Sequence, residues 1–399
     1  MNEVRALVEA FDGANARGER CALATVVSVE GSSYRRPGAR MLVCEGGKST
    51  GTISAGCLES DVVEHAKRVI RAGRAVLVEY DTASTSDEMA WGLGLGCNGV
   101  VRVLVEPLRD GSPYVAALRS SCEPHAAPVS VATVYRHAPS GDTRIETGAR
   151  LVLDEEGEVG REKLGDDAAA MLAGEVRALP LGDAASGAHS FDVDGAGVKV
   201  FVETLLPPVP LVVFGAGHDA LPVVELARSL GWQTEVVDPQ ARLASRSRFA
   251  AADRVTLARP EDVAAQVRLT PRTLTLLMSH NYSHDLALLR FLLASPALYI
   301  GVMGPRKRTE RMLSELASGG DASRFREADL ARLHSPAGLD IGANAPAEIA
   351  LSIVAEMRAV LAGRRGGSLR ERRGSIHGGA GEGERAPLTE EQVLPVAVA

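Results

Sequence analysis

The chain has 399 residues, 45% of them hydrophobic, which is enough for two or three domains with well-filled cores. Its formal net charge of −7 argues against non-specific binding to nucleic acid, whose phosphates need a basic surface. No apolar run approaches the roughly 18 residues that a membrane span requires, and the N-terminus lacks the apolar core of a signal peptide. We therefore expect a cytoplasmic protein that binds neither nucleic acid nor membranes.

The first half of the chain contains a faint internal duplication after an amphipathic first helix. ATVVS at 24–28 resembles ATVYR at 132–136, GARMLV at 38–43 resembles GARLVL at 148–153, and VRVLVEPL at 101–108 resembles VKVFVETL at 198–205. Between the last two landmarks each copy has one run with helical spacing, at 58–72 and 163–179. The pattern predicts two related α+β units, and chance similarity between valine-rich strands is the alternative.

The second half alternates short apolar runs with amphipathic segments. After the stiff LLPPVP segment at 205–210, strands are predicted at 211–214, 235–237, 273–278 and 299–302, with a helix up to 230 and another over 346–361. The predicted fold class is therefore α/β, a duplicated α+β unit followed by a Rossmann-like, doubly wound parallel sheet. The predicted domains are 1–110, a degenerate second copy at 111–206, the Rossmann-like domain at 207–363 and a disordered tail at 364–399.

Two cysteines lie in glycine-rich turns of the first copy. GTISAGCLESD at 51–61 places Cys57 where a helix should begin, and WGLGLGCNGVV places Cys97 in a second turn. The free N–H groups and positive dipole end of a helix start attract anions and lower the pKa of a thiol. Both are candidate functional thiols; the alternative is small residues packed beside glycine turns, and their spacing does not fit a closed zinc site.

The other three cysteines carry less information. Cys21 and Cys44 sit in strand-like runs and are expected in the core, and Cys122 is expected in a loop. An odd number of cysteines in a cytoplasmic chain argues against a disulfide framework.

GSSYRRPGAR groups hydroxyl and guanidinium side chains around one turn of the first copy. Ser32, Ser33, Arg35, Arg36 and Arg40 suit a phosphate or a carboxylate. The alternative is a surface hairpin with ordinary charges. The second copy has neither this turn nor the cysteine turns, so the chemistry is expected in the first.

The second half begins with a strand, a glycine turn, an amphipathic helix and a second strand. The turn is Gly215-x-Gly217-x-x-Ala220, and the second strand ends in Asp238, roughly where a ribose-binding carboxylate is expected. This arrangement predicts a nucleotide-type ligand. The alternative is a Rossmann fold whose crevice is empty or occupied by a partner.

Two further segments follow predicted strands and so face the same crevice. YIGVMGPRKRTERM places Gly301, Gly304, Arg306 and Lys307 at a turn that suits a phosphate, the alternative being a solvated basic helix start. His280, in MSHNYSHD, is either a ligand or proton donor or a hydrogen-bonded structural residue.

Together these motifs resemble the XdhC/CoxI family of molybdenum-hydroxylase maturation factors, also called xanthine dehydrogenase accessory proteins. The N-terminal motifs are GSSYRRPGARM, GTISAGCLE and GLGCNG; the C-terminal ones are FGAGH, VVD, RFAAAD, MSHNYSHD, YIGVMGPRKR and SPAGLDIGANAPAEIALSIVAE. The resemblance covers residues 20–110 and 210–361. The chain departs from the family pattern at Tyr34, Ala55, Asn98 and Pro305.

The resemblance implies a cofactor-insertion chaperone rather than a catalyst. Such a protein binds the molybdenum cofactor (molybdopterin), protects it while its terminal sulfur is installed, and passes it to an apo molybdenum hydroxylase; a cysteine desulfurase and a second copy of the chain are further expected partners. Cys57 and Cys97 would be metal or sulfur ligands, with Ser32, Ser33, Arg35 and Glu59 nearby.

A cytosine-dinucleotide form of the cofactor would place its pyrophosphate in the Rossmann-like half. The residues expected to line that site are Gly215, Gly217, His218, Asp238, His280, Gly301, Gly304, Arg306 and Lys307. The competing function is an NAD(P)-dependent oxidoreductase, with Asp238 on the ribose and His280 as proton donor. It leaves the cysteine turns without a role.

Overall fold

Two antiparallel sheets with the same strand order make up the first half of the protein. The computed structural model describes residues 2–31, 33–81, 99–137, 145–179, 186–193, 196–240, 244–318 and 325–371. It divides into two units, Met1–Pro208 and Val209–Ala399.

The first unit contains four helices and ten strands in its described residues. The helices are α1 (Asn2–Ala16), α2 (Glu59–Ala72), α3 (Pro113–Ser120) and α4 (Asp166–Arg177). The strands are β1 (Cys21–Gly31), β2 (Arg40–Cys44), β3 (Ser49–Gly51), β4 (Val76–Asp81), β5 (Gly99–Leu108), β6 (Val129–His137), β7 (Arg150–Leu153), β8 (Glu158–Glu162), β9 (Gly187–Val193) and β10 (Ala196–Leu205).

The two sheets confirm the duplication. Their strand orders are β3-β2-β1-β5-β4 and β8-β7-β6-β10-β9, so each strand of one sheet has a counterpart in the other. The match extends to single hydrogen bonds: Val26 N–H donates to Ala39 O at 2.9 Å, and Val134 N–H donates to Ala149 O at 2.8 Å. Chance similarity between valine-rich strands does not account for a shared strand order and shared turns.

Two buried ion pairs join the copies crosswise. Arg40 of the first copy pairs with Glu203 of the second, and Arg150 of the second pairs with Glu106 of the first at 2.6 Å. Tyr114 lies between them: its Oη accepts from Arg40 Nε at 3.1 Å, and its ring lies 3.8 Å from the Arg150 guanidinium carbon. Burial raises the pKa of Tyr114 to about 12, so the phenol stays neutral. Removing one member of such a pair would leave an uncompensated buried charge at a cost in stability. The two pairs therefore hold the copies together.

Each sheet packs one long helix on a face of its own. The first sheet buries Val62, Ala66 and Val69 of α2, and the second buries the equivalent face of α4. The side chains of α1 and α3 share a third cluster with residues of both sheets, including Leu23 and Val131. Helical periodicity predicted α1, α2 and α4, whereas α3 was not among the predicted helices.

The second unit is a six-stranded parallel sheet with helices between the strands. Its strands are β11 (Pro210–Phe214), β12 (Gln233–Val237), β13 (Arg254–Thr256), β14 (Leu274–Leu277), β15 (Tyr299–Val302) and β16 (Leu333–His334). Its α-helices are α5 (Ala220–Ser229), α6 (Val263–Gln266), α7 (Tyr282–Leu293), α8 (Arg306–Leu316), α9 (Glu327–Leu330) and α10 (Pro346–Leu361), with 3₁₀ turns at Pro260–Asp262 and Leu369–Glu371.

The strand order is β13-β12-β11-β14-β15-β16. Numbered from β11, this is the 3-2-1-4-5-6 order of the Rossmann fold, which confirms the predicted parallel sheet. The two outer strands, β13 and β16, were not among the predicted strands, because runs this short have no readable periodicity.

None of the helices in the described part of the chain is long and apolar enough to cross a membrane. The domain boundary predicted after residue 110 falls between β5 and α3, inside the first unit, and stays a prediction. Residues 372–399 of the predicted tail lie outside the described residues.

Candidate functional site

Three connections of the first copy open at one end of the first sheet. Gly31, which ends β1, pairs with Gly99, which begins β5, and Gly51, which ends β3, pairs with Met41 near the start of β2. The connections 32–39, 52–58 and 82–98 therefore leave the sheet at the same end. We call this the thiol end. Ser33, Arg35, Cys57 and Glu59 belong to it, whereas Ser32 and Cys97 lie outside the described residues.

The Cys57 turn is organised by one hydroxyl group. Ser54 Oγ accepts from the N–H groups of Gly56, Cys57 and Leu58 at 3.1–3.2 Å. It donates in turn to the Glu59 carboxylate. Gly56 has φ +109°, a conformation that favours glycine, so the turn depends on this residue as well.

The Glu59 carboxylate closes the same turn from the other side. It accepts from Ile53 N–H at 3.3 Å and from Ser54 N–H at 2.9 Å. Burial alone would raise the pKa of Glu59, but hydrogen bonds from Ser54 and from backbone N–H groups outweigh burial and hold that pKa below its ordinary value. Glu59 is thus ionised and engaged in shaping the turn around Cys57.

The network engages N–H groups that precede α2. Those of Gly56, of Cys57 and of Leu58, the N-cap residue of the helix, donate to Ser54 Oγ. The Cys57 side chain itself is half-buried against the core between the first sheet and α2, and its thiol is free. What the turn offers to a ligand is therefore the sulfur atom beside the exposed Ala55 and Gly56.

The arginines of GSSYRRPGAR have different roles. Arg35 forms a two-pronged ion pair with Glu3 of α1, at 3.0 and 2.6 Å, and its side chain remains 22% exposed. It belongs to the connection from β1 to β2, at the same end of the sheet as the Cys57 turn. Arg40, expected at the same ligand site, is instead buried in the pair with Glu203 because its side chain points into the interface between the copies.

The duplication supplies an internal comparison for the thiol end. The connection from β3 to α2 spans residues 52–58, whereas the equivalent one from β8 to α4 spans 163–165. The connection from β4 to β5 spans 82–98, whereas the equivalent one from β9 to β10 spans 194–195. At these two positions the second copy builds the same sheet with shorter connections, so the fold does not require the longer segments that contain Cys57 and Cys97.

In the second unit, the predicted residues gather at the carboxyl end of the sheet. Gly215, with φ +115°, follows β11, and a Cβ atom there would lie 2.5 Å from Met278 O beyond β14. The Asp238 carboxylate, 4% exposed, accepts from Ala216 N–H at 3.0 Å and from Gln240 N–H at 2.8 Å. Asp238, expected on a ribose, holds the glycine turn through one oxygen atom and the segment after β12 through the other.

His280 lies across this glycine turn. Its φ is +57°, and its Nε2 is 2.8 Å from Asp219 Oδ2, with the imidazole 65% exposed. A Cβ atom on Gly217 would collide with the Asp219 carboxylate, and His218 beside it is exposed. Asp219 therefore puts a negative charge at the start of α5, where the glycine fingerprint would place a pyrophosphate.

The cations of the basic turn after β15 have two different roles. Arg308 pairs with the buried Asp285 at 2.7 Å, and Asp285 accepts from Ser279 Oγ at 2.6 Å. Arg306 and Lys307 are exposed in the first turn of α8, which contains no acidic residue. Two cations at the positive end of a helix repel one another and the helix dipole, and an anion bound there would relieve this repulsion.

The two glycines before α8 serve different purposes. Gly301 lies within β15, where a Cβ atom would meet the Tyr299 ring at 2.7 Å, so its small size is needed for packing. Gly304 has φ +111° and forms the turn into α8. A small pocket at the carboxyl end of the sheet is lined by residues including Gly215, Asp238, Ser279 and His284.

Comparisons with known proteins agree with these features. The model of the XdhC and CoxI family matches residues 14–81, and the XdhC Rossmann domain matches 211–357. A protein of Bacillus subtilis described as a probable xanthine dehydrogenase subunit is 32% identical over 85% of this chain and 92% of its own length. The chain belongs to the XdhC and CoxI family.

Two more distant comparisons cover most of the chain. The molybdenum cofactor insertion chaperone PaoD of Escherichia coli is 20% identical over 86% of this chain and 84% of its own length. A crystal structure described as a xanthine dehydrogenase from Bacillus halodurans is 28% identical, with a TM-score of 0.70, over 90% of this chain and 97% of that one.

Three residues of this XdhC and CoxI family member were not assigned a role from sequence. Ser54 organises the Cys57 turn, Asp219 holds His280, and Arg248 donates to Ala216 O in the glycine turn at 2.9 Å. Ser54 lies four residues before the first residue with helical spacing, Leu58, and a hydroxyl near a helix start is a capping signal. The other two contacts join distant segments and leave no such local signal.

A metal site formed by the described residues alone is not present. In the ranges that the structure describes, no three His, Cys, Asp or Glu side chains lie together as ligands. The predicted metal-ligand pair of Cys57 and Cys97 thus depends on a residue outside those ranges.

Proposed function

We propose that this chain is a maturation factor that binds the molybdenum cofactor, protects it, supports its sulfuration and inserts it into a molybdenum hydroxylase of the xanthine, aldehyde or CO dehydrogenase type. Family membership supports the maturation role, and the name of PaoD supports the cofactor as its cargo. The cofactor is therefore a substrate that is carried rather than a resident group.

The observation that carries the proposal is the difference between the two copies. The two connections that are longer in the first copy, 52–58 and 82–98, each contain a cysteine, and their shorter counterparts in the second copy, 163–165 and 194–195, contain none. A scaffold does not need such segments, whereas binding of a molybdenum centre or of its sulfur calls for soft thiolate ligands. Cys57 and Cys97 are thus the proposed ligands.

The residues around Cys57 prepare the thiol for this role. The Ser54 and Glu59 hydrogen bonds hold the turn before the cofactor arrives, which lowers the entropic cost of binding. Arg35 lies at the same end and, with Ser32 and Ser33, is proposed to contact the anionic cofactor. For Arg35 this requires exchange of its Glu3 carboxylate for a ligand phosphate.

The Rossmann-like unit is proposed to bind the nucleotide part of a cytosine-dinucleotide form of the cofactor. Asp219 makes the start of α5 unfavourable for a phosphate, so Arg306 and Lys307 at α8 are the better candidates. His218, Gly215, Gly217, Gly301 and Gly304 shape that edge, and Asp238 and His280 support its turn. A cysteine desulfurase as sulfur donor, a homodimer and a cytoplasmic location complete the proposal.

The test measures pterin fluorescence and molybdenum content of the purified protein after incubation with the cofactor. Wild type and Cys122→Ala, a matched thiol on the turn after α3, should bind the cofactor. Cys57→Ala should lose most of the binding while keeping its far-ultraviolet circular dichroism. Equal binding by wild type and Cys57→Ala would place the cargo elsewhere.

An NAD(P)-dependent oxidoreductase is the second candidate, because His280 is held by Asp219 in the way a proton donor would be. Tight binding of NADH with turnover, and no binding of the pterin, would favour it. Loss of that turnover in His280→Gln would then identify the proton donor.

A further inference from the structure

Two cysteines outside the proposed cofactor site face each other across the first sheet. Cys21 of β1 and Cys44 of β2 are direct partners in the strand register, and their Sγ atoms are 2.7 Å apart. Glu45 N–H donates to Arg20 O at 2.9 Å, which makes the next pair along the strands, Cys21 and Cys44, a non-hydrogen-bonded pair.

That type of pair has the geometry that a disulfide needs. In a non-hydrogen-bonded antiparallel pair the Cα atoms are about 4.5 Å apart and the side chains are at their closest. Two cysteines can be bridged without backbone movement when their Cα atoms are roughly 4.4–6.8 Å apart. The register of β1 and β2 thus brings the two thiols together within bonding geometry.

The pair is covered by α1. Cys21 and Cys44 are 2% and 4% exposed, in one cluster with Leu7, Phe11 and Ala14 of that helix. Burial, and then the neighbouring thiol, raise the pKa of Cys21 well above its ordinary value. Reaction with an oxidant therefore requires α1 to open locally, which makes the pair slower than an exposed thiol.

We propose that Cys21 and Cys44 form a reversible disulfide, with a low-molecular-weight disulfide such as oxidised glutathione as oxidant. One thiolate attacks the glutathione disulfide, which forms a mixed disulfide and releases one glutathione thiolate. The second cysteine thiolate attacks the protein sulfur of that mixed disulfide and releases the second glutathione. The two cysteines lose two electrons and two protons, and the oxidant gains both electrons.

The bond would lock the base of the β1–β2 hairpin. The loop of this hairpin contains Arg35, and α1 above the pair contains its partner Glu3. The disulfide would restrain the unfolded chain between residues 21 and 44 and would stabilise the strands against which α1 packs. It leaves Cys57 a free thiol, so it is independent of cofactor binding.

The experiment treats the folded full-length protein with oxidised glutathione and maps the peptides without reduction. Trypsin releases Cys21 in the peptide 21–35 and Cys44 in the peptide 41–48. We expect a disulfide-linked pair of these peptides whose mass is the sum of the two peptide masses less two hydrogen atoms. It should form in wild type, in Cys57→Ala and in Cys122→Ala. Cys44→Ala should give no joined peptide, and oxidation should raise the Tm of wild type, but not of Cys44→Ala, by roughly 5–10 °C.

Two results would overturn the proposal. One is that exposed thiols become glutathionylated while peptides 21–35 and 41–48 stay separate. The other is that the joined peptide forms only after denaturant has unfolded the protein, since the native register would then not be its cause. Cys44→Ala leaves a small apolar side chain in the core, so we expect the variant to fold. Its circular dichroism spectrum checks this.

Discussion

Replacing Ser54 by alanine tests whether one hydroxyl orders the turn that presents Cys57. Ser54 Oγ accepts three N–H groups, of which those of Cys57 and Leu58 are partly buried and that of Gly56 is exposed. Water can replace the hydroxyl at the exposed N–H and at the Glu59 carboxylate. At about 1 kcal/mol for each of the two partly buried groups, the variant should lose about 2 kcal/mol.

Two measurements follow from that figure. For a folding unit of this size the Tm should fall by about 4–8 °C. If the thiol reacts only from an opened turn, alkylation of Cys57, followed in the tryptic peptide 49–67, should be up to about 30-fold faster.

Ser49→Ala is the matched control, because Ser49 is an exposed residue of the neighbouring strand β3. It should change neither quantity. If Ser54→Ala melts and reacts like Ser49→Ala, the hydroxyl does not organise the turn, and the proposed preparation of Cys57 is wrong.

Three further outcomes are expected. Glu203→Gln should lower the free energy of unfolding in urea by roughly 3–5 kcal/mol, since it leaves the buried Arg40 without a carboxylate partner. Glu106→Gln should cost less, since Arg150 keeps Glu162 at 3.5 Å, and an equal cost of the two variants would contradict this difference. Gly215→Ala should destabilise the second unit by at least about 2 kcal/mol, measured by its thermal melt, because a Cβ atom would lie 2.5 Å from Met278 O at a positive φ; a neutral effect would mean that the turn can move. Glu59 has a lowered pKa, so its contribution to the free energy of unfolding is complete above about pH 4.5 and is lost as pH falls through the pKa of the folded state. Glu59→Gln should therefore reduce the loss of stability at acidic pH, measured by urea unfolding at several pH values. An unchanged pH dependence would mean that the Glu59 carboxylate does not stabilise the turn.

The predicted and observed roles of the arginines in GSSYRRPGAR differ for a physical reason. Arg35 and Arg40 lie five positions apart in one turn-rich segment, and nothing local separates them. Arg40 is buried because Glu203, 163 positions later in the chain, lies opposite it. A guanidinium that meets a carboxylate through tertiary packing looks, in sequence, like one that is free for a ligand.

Asp238 gives a similar lesson in the second unit. Its place at the end of a strand after a glycine turn predicted a ribose contact. The structure shows that both of its oxygen atoms accept backbone N–H groups, from Ala216 and Gln240. Asp219 puts a second carboxylate at the same turn, and its partner His280 lies 61 positions later in the chain. The contacts of Asp238 with Ala216 and of Asp219 with His280 join distant segments and have no local signature in the sequence.

The sequence by itself determined the duplicated α+β fold, the parallel sheet and the segments that set the first copy apart. These follow from periodicity and repetition, which are properties of short stretches of chain. Only the tertiary structure decided which charged and thiol groups are exposed, paired or buried together. Cys21 meets Cys44, and Arg40 meets Glu203, because strand register and packing join residues that are far apart in the chain, and such contacts leave no local pattern.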